Sequence, residues 1–486
     1  MEIFFILGIP LCLATLSFFL PDRRSFGWFN GLGYLLIAAS SVSLIFRLFR
    51  NGSALSFFHF FYVDSLSAFF ILTISIITLA SSLYSVEYIA RDLEDGLISR
   101  RKARAYYSLF NLFSFTMFFV PVVDNLGVVW VAIEMTTLVS AFLVGFYNNK
   151  KSIEAAWKYI IICSVGISLA LLGTILFFHT TSHHGGINSL NWTDMMTAAK
   201  RLDPQTLKIA FLFLLVGYGT KAGLVPMHTW LPDAHSQALA PISALLSGVL
   251  LKTALYALLR FTAIVNRCIG TEYSGGLLIF FGLLSLGLSA GFILVQRDVK
   301  RLLAYHSVEH MGIISVGLGF GGALGLYGAL FHILNHAVTK SLMFFGAGDI
   351  VKRYETNDMT VIRGVLSAMP FTGVVLILGT FALAGSPPFS IFMSEMMILL
   401  SGFQGGYYLP VILFVFFVAI IFGAIVHHFS RITFGRRPSA LKVSRTPWSG
   451  KAAFLFLLIF ICVMGFKIPG FLNQVLLSAV EIIRGV

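Results

Sequence analysis

Residues 211–260 read FLFLLVGYGTKAGLVPMHTWLPDAHSQALAPISALLSGVLLKTALYALLR, and this stretch decides the fold. An apolar segment is interrupted near its middle and followed at once by a second apolar segment, each carrying one interior lysine. Lys221 follows the run Gly217-Tyr218-Gly219, which is expected to be flexible, and Pro226 and Pro232 come after it. Lys252 lies in VLLKTALY, with no charged residue within seven positions on either side. A charge at the centre of a membrane helix costs about 2.5–3.5 kcal/mol on insertion scales, so it marks function by default. Glycine and proline inside a spanning helix free backbone groups that neighbours or a watered cavity must satisfy. A broken helix beside a lysine therefore points to an ion pathway.

Working outward, the composition agrees. Hydrophobic residues make up 57% of the 486, charged residues only 11%, and mean hydropathy is +0.88, which excludes a soluble globular domain. Apolar runs of about 20 residues, long enough to span a bilayer, repeat from end to end. The first of them, MEIFFILGIPLCLATLSFFL, lacks a basic leader and reads as a membrane helix, not a removable signal. The net charge of +13 does not imply nucleic acid, because the basic residues sit in loops between spans. The four cysteines stand singly in apolar runs without cluster or zinc spacing, so a cysteine-held iron–sulfur or zinc site is not expected. With the relay reading of the histidines given below, no other metal and no cofactor is expected either. No Walker A sequence is present, and no soluble segment is long enough to hold a redox cofactor. The driving energy must come from an ion gradient or a partner.

The runs give an all-α polytopic membrane protein of about fourteen spans. They lie near 3–20, 27–49, 62–90, 105–122, 125–147, 155–179, the interrupted stretch after 206, and one ending near Arg260. The rest lie near 276–295, 301–320, 325–349, an interrupted stretch around Gly385-Ser386-Pro387-Pro388-Phe389, 407–430 and 452–470. Interruptions in spans seven and twelve, five spans apart, suggest an inverted repeat of spans four to eight and nine to thirteen. The corresponding divisions are 1–104, 105–265, 275–432 and 433–486, the last a C-terminal helix and tail. Loops after odd-numbered spans carry PDRRS, RRKAR, NNKK, QRDVKR, VKRY and RITFGRRPSALKVSR. The positive-inside rule puts that side in the cytoplasm and both termini outside.

Ten ionisable residues fall within spans: Glu134, Lys221, Lys252, His306, Glu309, His310, His332, His336, Lys340 and Glu395. Snorkelling would explain Lys340, near the cytoplasmic end of its span. Lys252 and Glu134 lie too deep for that. Glu134 and Lys221 are opposite charges, attracting by about 2.4 kcal/mol at roughly 7 Å in an effective dielectric near 20. His306 and His310 share one helix face, as do His332 and His336. Facing histidine pairs could ligate haem, relay protons, or simply be hydrogen-bonded in the interior. A relay is favoured, because lysines and glutamates share the same spans. His228 and His235 flank the break and, with Pro226 and Pro232, are candidates for gating it.

At these residues the chain resembles the antiporter-like subunits of respiratory complex I, Mrp cation/proton antiporters and group 4 membrane-bound hydrogenases. The resemblance is carried by KAGLVPMHTWLPDAHSQA (221–238), LLKTALYALLRF (250–261), RDVKRLLAYHSVEHMGI (297–313), FHILNHAVTKSLMFFGAGDI (331–350) and ALAGSPPFSIFMSE (382–395). It implies the same fourteen-helix fold. It also implies that Glu134 pairs with Lys221 of the broken helix and that Lys252 is the middle lysine of a polar axis. His310, His332 and His336 take relay positions, and Glu395 takes the terminal one. The subtype resembled is hydrogenase-4 component F. The implied function is proton translocation, with sodium coupling as a variant, by a subunit of a redox-driven oxidoreductase complex. Other membrane and peripheral subunits would hold the redox centres, in a bacterial or archaeal cytoplasmic membrane. The competing readings are an inorganic-carbon uptake subunit, a stand-alone cation/proton antiporter and a non-pumping membrane anchor.

Overall fold

The computed structural model describes residues 2–19, 24–52, 54–57, 60–439, 441, 443 and 446–485. The first loop's Pro21, Asp22 and Arg23, and Lys442 and Arg445 near the last span, lie outside these residues, so part of the charge pattern has no structural counterpart. Helices α1 (Glu2–Leu16) and α2 (Arg24–Asn51) lead to a hairpin of β1 (Ala54–Phe57) and β2 (Phe61–Asp64), a small antiparallel element that the apolar runs do not reveal. Next come α3 (Ser65–Glu94), α4 (Arg100–Phe119), α5 (Leu126–Val144), α6 (Lys150–His183) and the short α7 (Trp192–Ala198). The first interrupted span is α8 (Pro204–Ala222) and α9 (Trp230–Gln237), followed by α10 (Ala240–Leu245) and α11 (Leu251–Ile269). Then follow α12 (Glu272–Val295), α13 (Val299–Phe320), α14 (Gly322–Tyr354) and the one-turn α15 (Val365–Ala368). The second interrupted span is α16 (Pro370–Leu383) and α17 (Ser390–Gln404), and α18 (Tyr408–Thr433), α19 (Trp448–Phe466) and α20 (Gly470–Arg484) complete the chain.

Among the described residues, ten helical segments are long and apolar enough to cross a membrane. Their burial separates centre from rim. The most apolar window of α3 is 94% buried and that of 240–269 is 100% buried, against 28% for α18. A helix wrapped by protein on all sides can carry polar groups, whereas one facing lipid cannot. The interior of this bundle is therefore where charge can be held.

Polar side chains start the helices. Asp64 accepts from the Ser67 backbone N–H at 2.9 Å at the head of α3, and Asn149 makes a reciprocal capping box with Ser152 on α6. Asp203 caps α8 just before Pro204, and hydrogen bonds from Thr206 hold its carboxyl below the usual value. Such caps are worth about 0.5–2 kcal/mol each.

Contrary to the expectation of flexibility, Gly217-Tyr218-Gly219 lies inside α8, where Gly217 lets two backbones touch. A Cβ there would come within 2.5 Å of the Ala170 nitrogen on α6. Small residues permit this close approach between membrane helices. The chain turns instead at Gly223, with φ +80°. Nearby groups satisfy the freed backbone: Trp230 Nε1 donates to the Thr220 carbonyl at 2.9 Å, and the Val225 N–H to Ser285 Oγ at 3.0 Å. Between α10 and α11, residues Leu246–Leu250 form a π-helical turn directly before Lys252. The segment after residue 470, expected as a tail, is the amphipathic α20, docked by Tyr327 to Asn473 and by Asn266 to the Ile483 carbonyl.

The central helix is tied at both ends by a buried carboxylate. Arg260 on α11 grips Asp64 through Nη1 at 2.6 Å and Nη2 at 2.8 Å, while also binding Ser67 and Tyr256 and lying 4.4 Å from the Trp192 ring centroid. At the other end, Asp92 pairs with Lys352 of α14 at 2.6 Å and accepts from Tyr147 at 2.8 Å. Removing one partner of a buried pair costs about 3–5 kcal/mol, because the other charge is stranded. Arg260→Met should therefore lower the thermal unfolding midpoint of the purified protein sharply, and adding Asp64→Asn should recover most of the loss. Strictly additive effects in this double-mutant cycle would contradict the pairing.

Candidate functional site

Two polar groups occupy the interior. In the first, α5 presents Glu134 and Thr137 one turn apart, on one face. Lys221, in the last turn of α8, donates to Thr137 Oγ1 at 2.5 Å and to the Tyr159 hydroxyl at 2.8 Å. Thr137 donates onward to Glu134 Oε2 at 3.2 Å, and Ser164 of α6 donates to Oε1 at 3.0 Å. Tyr159 also bonds Ser140 at 2.7 Å, which fixes the ring beside the lysine. Glu134 and Lys221 make no direct contact, which the attraction expected across roughly 7 Å does not require. Among the described residues no ion pair joins them, and the Thr137 hydroxyl stands between. A hydroxyl accepts and donates at once, so lysine, threonine and glutamate form one continuous hydrogen-bonded line. Lys221 is fully buried, whereas Glu134 is only half-buried, at the edge of the bundle.

The second group is larger. The Lys252 ammonium meets His336 Nδ1 at 2.6 Å and the Ser247 carbonyl in the π turn, which points that carbonyl out of the usual helical ladder. His336 packs its ring 4.6 Å from that of His310, and His310 Nδ1 lies 2.9 Å from His332 Nε2. His332 Nδ1 contacts Ser394 on α17 at 2.9 Å. Glu395 follows on the same helix, and its carboxylate rests on Gly385 at the second interruption. His306 stacks on His310 at 4.7 Å and touches Glu309 at 2.8 Å. Lys340 is wholly buried and donates to the Leu303 carbonyl at 2.8 Å, so it does not snorkel.

The structure thus brings together Lys252, His306, His310, His332, His336 and Glu395, with Glu309, on α11, α13, α14 and α17. Glu134 and Lys221 form a separate group. Among the described residues no direct hydrogen bond links the two. His228 and His235 stand apart from both. His228 packs against Tyr305 and Phe292, and His235 stacks on Phe344 at 4.8 Å with neither nitrogen hydrogen-bonded. Pro226 and Pro232 bracket the short 3₁₀ turn Met227–Thr229 between α8 and α9. Sequence inspection missed Thr137, Tyr159, Ser164 and Ser394. Only the three-residue spacing of Thr137 from Glu134 offered a signal.

This geometry can be set beside known proteins. The transmembrane family described as NADH:quinone oxidoreductase/Mrp antiporter matches residues 123–422. The chain is 40% identical over 418 residues to a hydrogenase-4 component F homolog of Methylacidiphilum infernorum, with 86% of each covered. Its fold is similar to that of a chain in the membrane-bound sulfane sulfur reductase, an archaeal respiratory membrane complex. There the TM-score is 0.86 at 24% identity, covering 99% of this chain and 97% of that one. It is also similar in fold to a chain of respiratory complex I from Thermus thermophilus, at TM-score 0.83, 22% identity, and 100% and 99% coverage. Both structural relatives are subunits within multi-subunit membrane complexes.

The seat of Glu395 can be tested directly. Gly385 has φ +70°, and a Cβ there would lie 2.2 Å from Glu395 Oε2. Gly385→Ala should cost about 1–2 kcal/mol in backbone strain alone and evict the carboxylate. The expected result is a lowered thermal midpoint for the purified protein. The same loss from Gly385→Ala made in a Glu395→Ala background would place Glu395 elsewhere, whereas a loss relieved by Glu395→Ala supports the seat.

Proposed function

This chain belongs to the antiporter-like membrane subunit family of complex I, Mrp antiporters and membrane-bound hydrogenases, and we propose that it translocates protons for a redox-driven complex of the hydrogenase-4 kind. One observation carries the reading: the unbroken line from Lys221 through Thr137 to Glu134. A proton leaving Lys221 for the Thr137 oxygen, as the Thr137 proton passes to Glu134, converts a separated ion pair into two neutral groups. The reverse shift restores it. Lys252 and the histidines then extend the relay across the bundle towards Glu395, and the residues about the first interruption, His228, His235, Pro226 and Pro232, gate it.

Counted with the ten long apolar helices, α1, α13, α14 and the α16–α17 pair give the fourteen spans this reading proposes. An inverted repeat of spans four to eight and nine to thirteen, within the divisions 105–265 and 275–432, suits the two interruptions. The basic loops favour both termini outside. In this reading the redox centres belong to partner subunits, whose reaction drives the transport.

Thr137→Val keeps the shape and removes the hydroxyl. In the assembled complex it should slow proton uptake into liposomes about tenfold or more, each decade corresponding to about 1.4 kcal/mol of barrier. Thr137→Ser should pump nearly as well as the parent. Undiminished uptake by the valine variant would refute the line as the route.

A further inference from the structure

Helix α13 carries His306, Glu309 and His310 at positions i, i+3 and i+4, the spacing H-x-x-E-H, which puts all three side chains on one face. Each is at most 2% exposed. Their inward atoms converge. Glu309 Oε2 lies 2.8 Å from His306 Nδ1 and 3.6 Å from His310 Nε2. Neither nitrogen of His306, nor Glu309 Oε2, nor His310 Nε2, makes a hydrogen bond. Buried polar atoms are almost always hydrogen-bonded, so three such atoms converging on one point, His306 Nδ1, Glu309 Oε2 and His310 Nε2, call for an explanation.

We propose that His306, Glu309 and His310 form a binding site for a divalent transition metal, zinc by the chemistry of its donors. Four ligands at about 2.1 Å from zinc stand about 3.4 Å apart, and the observed separations of 2.8 and 3.6 Å bracket that value. Two imidazoles and one carboxylate suit zinc better than calcium or magnesium, which take oxygen. The fourth position is open to a further ligand, and His336 of α14 lies close by, its ring 4.6 Å from that of His310 and its Nε2 without a hydrogen bond. Two further groups bear on the site. Glu395 lies with His310 and His332 in a second cluster of ligand atoms, and Lys340, which interacts electrostatically with Glu309, opposes the metal. The expectation of no metal weighed cysteine spacing and haem-ligating histidine pairs, and both are blind to a His-Glu-His set on one helix. A metal here would tie up His306 and His310 and so act as a brake on the relay. The site does not depend on the transport reading, but the brake does.

The test uses the complex purified on a streptavidin-binding tag, stripped with chelator and titrated with zinc alone. One zinc per chain should survive gel filtration, and X-ray absorption should show nitrogen and oxygen scatterers only. His306→Gln and Glu309→Gln should each weaken binding at least tenfold. His183→Gln should not, although the His179 and His183 rings lie 4.4 Å apart on α6 and offer a surface alternative. No retained zinc in the wild-type complex would overturn the site. So would zinc held equally by the two α13 variants and lost in His183→Gln. Zinc should also halt proton uptake by the wild-type complex. A complex that binds zinc at α13 yet pumps undiminished overturns the brake, and one that never pumps, even stripped, refutes the transport reading instead.

Discussion

Everything in this structure answers to one constraint: a charge withdrawn from water must find a partner. Desolvating an ion costs several kcal/mol even after relaxation, and the cost is offset only by good geometry. The protein meets it in two ways. At the ends of α3 it uses closed pairs, Asp64 with Arg260 and Asp92 with Lys352, in which the ionic atoms are held by several groups at once. Along the axis it leaves the charges on one or two hydrogen bonds to neutral groups: Lys221 on hydroxyls, Lys252 on an imidazole and a carbonyl, and Lys340 on a carbonyl. The first arrangement fixes a helix. The second lets a proton change hands at little structural cost.

The interruptions serve the same end. A continuous helix hides its backbone, but a break offers carbonyls and N–H groups in mid-membrane. Here the break after α8 sets Lys221 at a helix end, and the π turn before Lys252 frees the Ser247 carbonyl as its acceptor. The break between α16 and α17 makes room for Glu395 over a glycine. Local irregularity and buried charge therefore coincide three times, in elements otherwise packed as tightly as Gly217 against α6.

Much of this was legible in the sequence, and the remainder was hidden for physical reasons. A lysine or glutamate inside an apolar run stands out, so Lys221, Lys252, Glu134 and Glu395 could be named at once, and proline with glycine marked both interruptions. Thr137, Tyr159 and Ser164 could not be singled out, because hydroxyl residues are ordinary in membrane helices and only their neighbours give them a role. Asp64 precedes a helix and Arg260 reads as the end of a span, where charge is unremarkable, but α11 runs on to Ile269 and the fold buries both. Gly217 reads as flexibility in one dimension and as close packing in three. The docked α20 was missed because its amphipathic period is too short and too polar to register as a span.

The proposed route for protons runs through the buried lysines of this subunit. Proton uptake by the assembled complex in liposomes, driven by its partners' reaction, can be measured for Lys221→Ala and Lys252→Ala. Either variant should abolish uptake while the partners' reaction continues. Uptake at the parent rate with both lysines removed would contradict the route.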